Sequence, residues 1–320
     1  MAEDAANVAN KYMEHAKMKS TVEDIEFQRD RTIVTQLEEK KTLDTLTEKL
    51  TKSPVNLFQI KGNQSYNVKV NSDNIDCNIT SACCMEDGTI ILADYNNNKL
   101  KRLHSYSRTV RDYYHIPEDP WTVCMINNTK VAVLIHSKWQ VLLISLEGKM
   151  KTTNKFKTDF KSNRLAYANN NLYISEMDTA SVYMYTLSGR KLKQFGHKLL
   201  SSLHSLAVSK DATRIYVADY NNGLIVLDNN SQVITAFNDG QLKGANCCYL
   251  TEAGSVLVSG VVSNNVLQFT PDGDLIGEVI KADGRKEKIN SVCCNQQMTK
   301  MCISRWQEDN IEVYDILPVK

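Results

Sequence analysis

The feature that constrains the fold of this chain most is a motif that recurs about every 42 residues. Each copy reads as an apolar strand, a polar turn and a second apolar strand. The copies occupy residues 90–103, 131–144, 172–185, 215–227, 256–269 and 301–314. Their matching positions, which lie 42, 40, 43, 41 and 45 residues apart, are Asp94, His136, Glu176, Asp219, Gly260 and Arg305. A period of this length is typical of propellers and solenoids.

Two further strands accompany each copy of the motif. A short strand rich in small apolar residues precedes it, as at 79–84 and 204–208. A tight-turn signal such as Glu147-Gly148 or Asp272-Gly273 then leads into a fourth strand. Four strands in about 42 residues make one blade of a β-propeller. We therefore predict an all-β fold, a six-bladed β-propeller over residues 66–320, whose closed ring leaves no long exposed edge.

The last repeat ends after its third strand, near residue 316. A strand-like run, residues 66–70, lies upstream of the first blade and belongs to no repeat. We predict that this run pairs beside residues 311–316 and joins the two ends of the ring.

The segment before the propeller has a different period. Residues 1–53 contain no glycine and no proline, and their apolar residues, such as Val22, Ile25 and Ile33, recur mostly three and four positions apart. This spacing predicts a helix over 5–52, which ends because Pro54 disfavours a helical predecessor. We interpret 1–53 as a coiled-coil segment through which the chain self-associates, and 54–65 as a linker. The alternative is a helix packed on its own domain.

The amino-acid sequences of two repeats resemble the repeat pattern of a known family. The runs 92–100, LADYNNNKL, and 217–224, VADYNNGL, resemble the NHL-repeat pattern V-A-D-x-x-N-x-[KR]-I-x-V-F. A coiled coil that leads into a six-bladed NHL propeller resembles the C-terminal part of the tripartite-motif family, whose full-length members carry a RING finger and B-boxes. Many of those are ubiquitin ligases whose propeller selects the target. No Cys/His cluster precedes residue 53, so the resemblance implies a recognition surface and no ligase activity in this chain.

Composition and charge narrow the function classes. The formal net charge of +1 does not fit a globally basic nucleic-acid protein, and no run of about 18 apolar residues predicts a membrane span. The acidic start, Met1 to Asp4, lacks the basic and apolar regions of a secretory signal, so we expect a cytoplasmic protein. The nine cysteines show no zinc-type spacing, and their three doublets fall in the first strands of blades, where small side chains fit.

Two surfaces are candidate binding sites. The turns between second and third strands should project from one face, and their partner-binding candidates are Tyr95, His136, Lys138, Trp139, Tyr220, Arg305 and Trp306. Exposed aromatic residues beside Arg and Lys suit a protein hot spot or base stacking. The alternative is that Trp139 and Trp306 pack between blades.

The second surface is basic. Residues 99–164 carry 13 Lys and Arg against 5 Asp and Glu, and the densest group comprises Lys149, Lys151, Lys155, Lys157, Lys161 and Arg164. Such clustering fits an acidic partner or RNA, and the resemblance implies single-stranded RNA because some NHL propellers bind it. The alternative is an ordinary solvated face.

An enzyme is the weaker interpretation. The chain has no G-x-S-x-G, H-E-x-x-H or phosphate-loop motif, and its six histidines show no ligand spacing. Some propellers of this shape are calcium-dependent hydrolases, but here the acids Asp94, Glu176 and Asp219 alternate with other residues, so we expect them to stabilise turns. We therefore expect no catalytic residue, metal or cofactor. The sequence favours a non-catalytic module that binds a protein partner, and this module could be the target-selecting part of a ubiquitin-ligase system. The alternative is RNA binding by blades 1–3, and a metal-dependent hydrolase comes third.

Overall fold

The computed structural model describes Glu14, residues 56–104 and residues 109–317. The predicted helical segment, 1–53, lies outside these residues apart from Glu14. The described residues from 56 onward form six four-stranded antiparallel sheets. Among the described residues no helix has the length and apolar character needed to cross a membrane.

Each sheet is one blade. The innermost strands of blades 1 to 6 are β2 (Ile79–Cys84), β6 (Pro120–Asn127), β10 (Ser162–Ala168), β14 (Leu203–Val208), β18 (Ala245–Leu250) and β22 (Ile289–Cys294). The second strands are β3 (Ile90–Asp94), β7 (Lys130–Ile135), β11 (Asn171–Glu176), β15 (Arg214–Asp219), β19 (Val256–Gly260) and β23 (Lys300–Arg305). The third strands are β4 (Lys99–Leu103), β8 (Gln140–Ser145), β12 (Val182–Thr186), β16 (Gly223–Asp228), β20 (Asn265–Phe269) and β24 (Asn310–Leu317). The outer strands are β5 (Val110–His115), β9 (Lys151–Lys157), β13 (Lys191–Phe195), β17 (Val233–Phe237), β21 (Leu275–Ile280) and, in blade 6, β1 (Gln59–Asn67).

The position of a strand in its blade explains its apolar pattern. Both faces of a middle strand pack against neighbouring blades, so β3, β19 and β20 are buried along their whole length and are mostly apolar on both faces. Outer strands lie at the rim, so burial alternates along β5 and β17. The ring is closed because each innermost strand contacts the next, and β22 contacts β2. The predicted six-bladed all-β propeller is therefore confirmed.

The hydrophobic core is divided among the blade interfaces. Ile91 and Leu100 of blade 1 pack with Val133 and Leu142 of blade 2. Equivalent clusters lie between each further pair of neighbouring blades, including blade 6 and blade 1, where Ile79 and Ile311 are both fully buried. Stability therefore depends on contacts between blades as well as on pairing within them.

The strand that closes the ring is longer than predicted. β1 pairs antiparallel with β24, from Gln59 opposite Leu317 to Tyr66 opposite Ile311. The pairing of the two ends of the ring is as expected, but the predicted bounds 66–70 are wrong. Residues 59–65, where we expected a linker, belong to the sheet. The reason is that an outer strand is solvent-exposed on much of its length, so β1 shows little apolar alternation in the sequence.

Candidate binding site at the mouth of the central channel

The six innermost strands surround a cavity of about 230 Å³ on the axis of the ring. We call the end at which these strands begin the mouth of the channel. The turns between second and third strands lie at this end. In each blade the first residue of the turn donates a backbone hydrogen bond to the carbonyl of the residue just before the innermost strand. Examples are Tyr95 N to Asn78 O at 3.0 Å and Trp306 N to Lys288 O at 3.0 Å. The predicted convergence of these turns on one face is therefore present.

Every innermost strand carries a β-bulge near its start. The pairing with the second strand shifts register after Ile79, Pro120, Ser162, Leu203, Ala245 and Ile289. The residues in the bulges are Thr80, Trp121, Asn163, His204, Asn246 and Asn290. A bulge redirects a side chain out of the regular pleat. Here it turns six side chains toward the neighbouring blades at the mouth.

These bulged side chains link each blade to the next. Asn163 accepts from Trp121 Nε1 at 3.1 Å and donates to the carbonyl of Leu203 at 2.8 Å. His204 Nδ1 bonds to Asn246 Oδ1 at 3.2 Å. The remaining links are Thr80 Oγ1 to Pro120 O, Asn246 Nδ2 to Asn290 O, and Asn290 Nδ2 to Ile79 O. The result is a hydrogen-bonded ring around the mouth through all six blades.

One residue further along the innermost strands, a single side chain differs in kind from the others. Five blades place a small hydroxyl or thiol there, and blade 3 places an arginine. The six residues are Ser81, Thr122, Arg164, Ser205, Cys247 and Ser291. The small members bond locally, as where Val123 N donates to Ser81 Oγ at 3.1 Å. Arg164 is the one long charged side chain at this level of the channel.

Arg164 lies against the aromatic wall of the mouth. Its Nε group donates to the carbonyl of His204, and its guanidinium carbon is 4.8 Å from the centre of the Trp121 ring. The residue is only 7% exposed. Among the described residues, no carboxylate forms an ion pair with it, although ion pairs are frequent elsewhere in the propeller.

Arg164 carries the one buried positive charge of the mouth that has no carboxylate partner among the described residues. Burial lowers the pKa of Arg164 to about 10, so the guanidinium remains charged at neutral pH. Burial, and secondarily the charge of Arg164, lowers the pKa of His136. Burial also lowers the pKa of His204, outweighing its hydrogen bond with Asn246. Both imidazoles are therefore neutral at pH 7 and flank a single cation.

Aromatic rings extend outward from Arg164 on both sides. Trp121 packs against His136 at 5.2 Å and edge-on against Tyr95 at 5.4 Å. Across blade 4, His204 packs against Tyr220 at 4.9 Å. Tyr95 and His136 are half-buried, so these two predicted surface residues contribute to the wall of the mouth and not to an outer rim.

The other predicted partner-binding residues have different environments. Trp139 and Trp306 are 40% and 47% exposed, which does not fit the alternative that they pack between blades. Lys138 is exposed and pairs with Glu118 at 2.8 Å. The expectation for Arg305 is wrong: it is 4% exposed and ion-paired with Glu312 and Asp283. Arg305 is the last residue of β23 and is not available on the surface.

The predicted basic group divides in two. Lys149, Lys151, Lys155, Lys157 and Lys161 are exposed, and three of them lie on outer strand β9. Lys161 pairs with Asp178 at 3.1 Å, and the other four form no ion pair with a described residue. Arg164 does not belong to this surface, because β10 begins a new blade and carries it to the channel.

The acidic turn residues stabilise turns, as expected from the sequence. Asp219 accepts from the backbone N–H groups of Ser201, Ser202 and Asn221 at 2.7–3.1 Å. Asp94 accepts from Asn78 N and Asn97 Nδ2, both at 3.0 Å. These bonds attach each turn to the loop that precedes the innermost strand.

One cluster in blade 1 has the composition of a metal site. Asp73, Cys77 and Asp94 bring two carboxylates and a thiol close together. The ammonium group of Lys101 lies among them, 2.6 Å from Asp73, 2.7 Å from Asp94 and 3.2 Å from Cys77 Sγ. Since a lysine already supplies the positive charge at this position, these residues do not fit a cation site.

The six bulged residues of the mouth were not singled out from the sequence: Thr80, Trp121, Asn163, His204, Asn246 and Asn290. Their signal lies in an alignment of the six innermost strands at the bulge, where polar or aromatic residues replace the apolar pattern. The same alignment separates Arg164 from the lysines that precede it.

Comparison with known proteins bears on the fold. No protein-family model and no curated protein sequence matches the chain. Among solved structures, a streptogramin B lyase matches with a TM-score of 0.60 and 8% identity, covering 80% of this chain and 98% of that one. Virginiamycin B lyase from Staphylococcus aureus matches with a TM-score of 0.59 and 11% identity over 81% of this chain and 100% of that one. A catalytically inactive histidine-to-alanine variant of that lyase with quinupristin gives 0.60 and 10% over 80% and 100%. At such identities the likeness establishes a shared propeller fold.

Proposed function

We propose that this chain is a non-catalytic recognition module that binds a protein partner through the face around the channel mouth. The observation that carries this proposal is the distribution of exposed apolar side chains. Of the 11 large ones among the described residues, 7 lie in loops around the mouth: Ile75, Trp139, Met177, Leu199, Tyr220, Val262 and Trp306. The others lie on outer strands and near residue 317. Exposed apolar side chains gathered on one face are typical of a protein-binding surface.

The loops that carry these side chains are held rigidly. Asn97 Nδ2 donates to Ile75 O at 3.2 Å, and Asn222 Nδ2 donates to Leu199 O at 2.9 Å. Each bond joins a turn to the loop before an innermost strand. A preorganised surface loses little conformational entropy on binding, which favours recognition.

The non-catalytic part of the proposal is supported by the contacts of the polar groups at the mouth. His204 uses Nδ1 to hold Asn246, and Asn163 and Asn290 bond to backbone carbonyls of the next blade. These groups thus serve the ring itself. The resemblance to tripartite-motif proteins supports a finer proposal, that the partner is a target presented to a ubiquitin-ligase assembly in the cytoplasm and that the N-terminal segment oligomerises the module.

Single-stranded RNA is the second candidate ligand. It is favoured by the four exposed lysines of blade 2 that have no ion pair with a described residue, Lys149, Lys151, Lys155 and Lys157. A row of free cations on an edge strand can follow a phosphate backbone. These lysines lie on the loop before β9 and on β9 itself, the outer strand of blade 2, so the two candidate ligands occupy different surfaces.

Affinity capture with the full-length chain tests the proposal. The bait is compared with the double variant Trp139→Ser/Trp306→Ser and with the control Leu192→Ser/Ile234→Ser, which removes two equally exposed apolar side chains from outer strands. We expect the mouth variant alone to lose the proteins captured, with and without nuclease. Equal capture by all three baits would overturn the proposal. Loss after nuclease treatment and with Lys155→Glu/Lys157→Glu would favour RNA.

A further inference from the structure

The guanidinium of Arg164 is the least satisfied charged group at the mouth. An arginine offers five N–H donors, and the one hydrogen bond that Arg164 forms uses Nε. Taking such a charge out of water is costly unless an anion compensates it. None of the described carboxylates does so. The other buried arginine, Arg305, shows the usual solution in this propeller, since Glu312 and Asp283 both pair with it.

Two neighbouring polar atoms are also without partners. Thr122, which is 7% exposed, lies at the level of Arg164 in the preceding blade, and its Oγ1 atom has no hydrogen-bond partner. Nδ1 of His136, whose ring packs against Trp121, is buried and likewise unpartnered, although the imidazole also has a backbone hydrogen bond with Ser162. The guanidinium, one hydroxyl and one imidazole nitrogen therefore have unused hydrogen-bonding capacity near Trp121.

The shape and charge of the site select the ligand. The guanidinium carbon lies 4.8 Å from the centre of the Trp121 ring and Nε is bonded to His204, which leaves the Nη groups for a ligand. That fork matches the two oxygens of a carboxylate. Ser81, Ser205 and Ser291, the small side chains at the level of Arg164, line the axial cavity of about 230 Å³, so a side chain that reaches the guanidinium from the mouth meets small neighbours there. A single cation also suits one carboxylate better than a phosphate backbone, which needs several.

We propose that Arg164 receives a carboxylate side chain from an acidic segment of the protein partner, inserted into the channel mouth beside Trp121. This inference rests on the proposed function and specifies the chemistry of the partner. The exposed apolar side chains around the mouth contact the rest of the segment, and Arg164 sets its register.

The test uses the full-length chain and two labelled peptides, hexaglutamate and hexaglutamine, followed by fluorescence anisotropy. We expect hexaglutamate to bind and hexaglutamine to bind at least tenfold more weakly. Arg164→Gln should weaken hexaglutamate binding at least tenfold. The matched control Lys243→Gln, which removes an exposed positive charge from a loop on the same face, should change it less than twofold. Absence of hexaglutamate binding, or equal losses in both variants, would overturn the inference.

A second measurement covers the case in which Arg164→Gln does not fold. Acetate is titrated into the wild-type chain while the arginine Nε–H signals are followed by NMR. We expect a saturable shift of one signal with acetate and none with chloride. Absence of any shift with acetate would contradict the site. A labelled oligouridine of similar charge provides the RNA arm, and its binding with the same Arg164 dependence would also overturn the inference.

The two proposals fail in different ways. If the captured partner is lost in Trp139→Ser/Trp306→Ser but retained in Arg164→Gln, the mouth face binds protein without the carboxylate. If none of these variants changes capture while hexaglutamate still binds through Arg164, the pocket exists and the proposed function is wrong.

Discussion

The side-chain amide of Asn290 donates a hydrogen bond to the carbonyl oxygen of Ile79 at 2.9 Å, across the seam between the last blade and the first. Ser304 Oγ donates to the same carbonyl at 2.8 Å. This is the one link of the mouth ring that joins residues more than 200 positions apart, so it closes the ring at its centre while β1 closes it at the rim.

Asn290→Ala should therefore destabilise the protein. Asn290 is 5% exposed, and the change removes one of two donors to a buried carbonyl that keeps its bond from Ser304, which costs about 0.5–1.5 kcal/mol. Urea denaturation measures the change in the free energy of unfolding. Asn230→Ala, in an exposed turn, is the control and should stay within about 0.5 kcal/mol of wild type. Equal effects in the two variants would show that the seam does not depend on this bond.

Removal of β1 should lower the melting temperature. Chains 59–320 and 69–320 differ by β1 and by Val68, which is fully buried between blades 6 and 1. Without β1 the outer edge of β24 has no partner strand. We expect chain 69–320 to melt roughly 5–10 °C lower in calorimetry. Equal melting temperatures would mean that the propeller closes without the N-terminal strand.

Lys101 is expected to be essential for the packing of blade 1. Its ammonium group is fully buried between Asp73 and Asp94, so Lys101→Met leaves the buried carboxylate of Asp94 without its counterion, while Asp73 keeps Lys99. Breaking such a pair on one side typically costs about 3–5 kcal/mol. Chemical denaturation at pH 7 measures the loss. Lys161→Met, which removes an exposed ion pair, should cost less than about 1 kcal/mol.

The same cluster predicts a pH dependence that is weaker in the variant. Burial alone would raise the pKa of Asp73, but hydrogen bonds from Lys101 and Lys99 outweigh it and hold that pKa below its ordinary value. The wild type should therefore keep this stability above about pH 4 and lose it as the pH falls further. Lys101→Met removes the larger of the two hydrogen bonds, so it should lose less stability than the wild type as the pH falls below about 4. Equal losses in the two proteins on urea denaturation at acid pH would contradict the assignment.

Cys84 and Cys293 should form a disulfide under oxidation. Their sulfur atoms lie 3.3 Å apart, on the innermost strands of blades 1 and 6. Hydrogen bonds with Cys302 and Cys84, together with burial, raise the pKa of Cys293 well above its ordinary value, so the reaction with diamide should be faster at pH 9 than at pH 7. Peptide mapping identifies the bridge, and Cys84→Ser is the control. Cross-links confined to other cysteine pairs would refute this expectation.

Much of the architecture was predictable because a propeller repeats one apolar pattern. Asp94, Asp219 and the matching residues of the other repeats recur once per blade, so their spacing indicates the number of blades. The middle strands are easy to recognise in the sequence because they are buried on both faces. Arg164 was grouped with Lys157 because they are close in the chain. The structure separates them, because Lys157 ends an outer strand and Arg164 lies on the next innermost strand, at opposite ends of the radius of a blade.

Long-range partners account for the rest of what the sequence could not predict. Arg305 is buried because Glu312 and Asp283 compensate its charge, and nothing near residue 305 in the chain indicates the second partner. The bulges at Trp121 and His204 are similarly invisible, because one additional residue in a short strand does not disturb its apolar character. A site built from one residue per blade becomes apparent only when the six strands are superimposed.

The bulges also have an evolutionary consequence. Since the ladder resumes its register after each bulge, the bulged residue can change without altering the pairing of its blade. Six such positions surround one opening on a constant frame, and each substitution there changes the lining of the mouth together with one link of its hydrogen-bonded ring. A chain of this kind can therefore acquire a new ligand by a few substitutions near the start of each repeat.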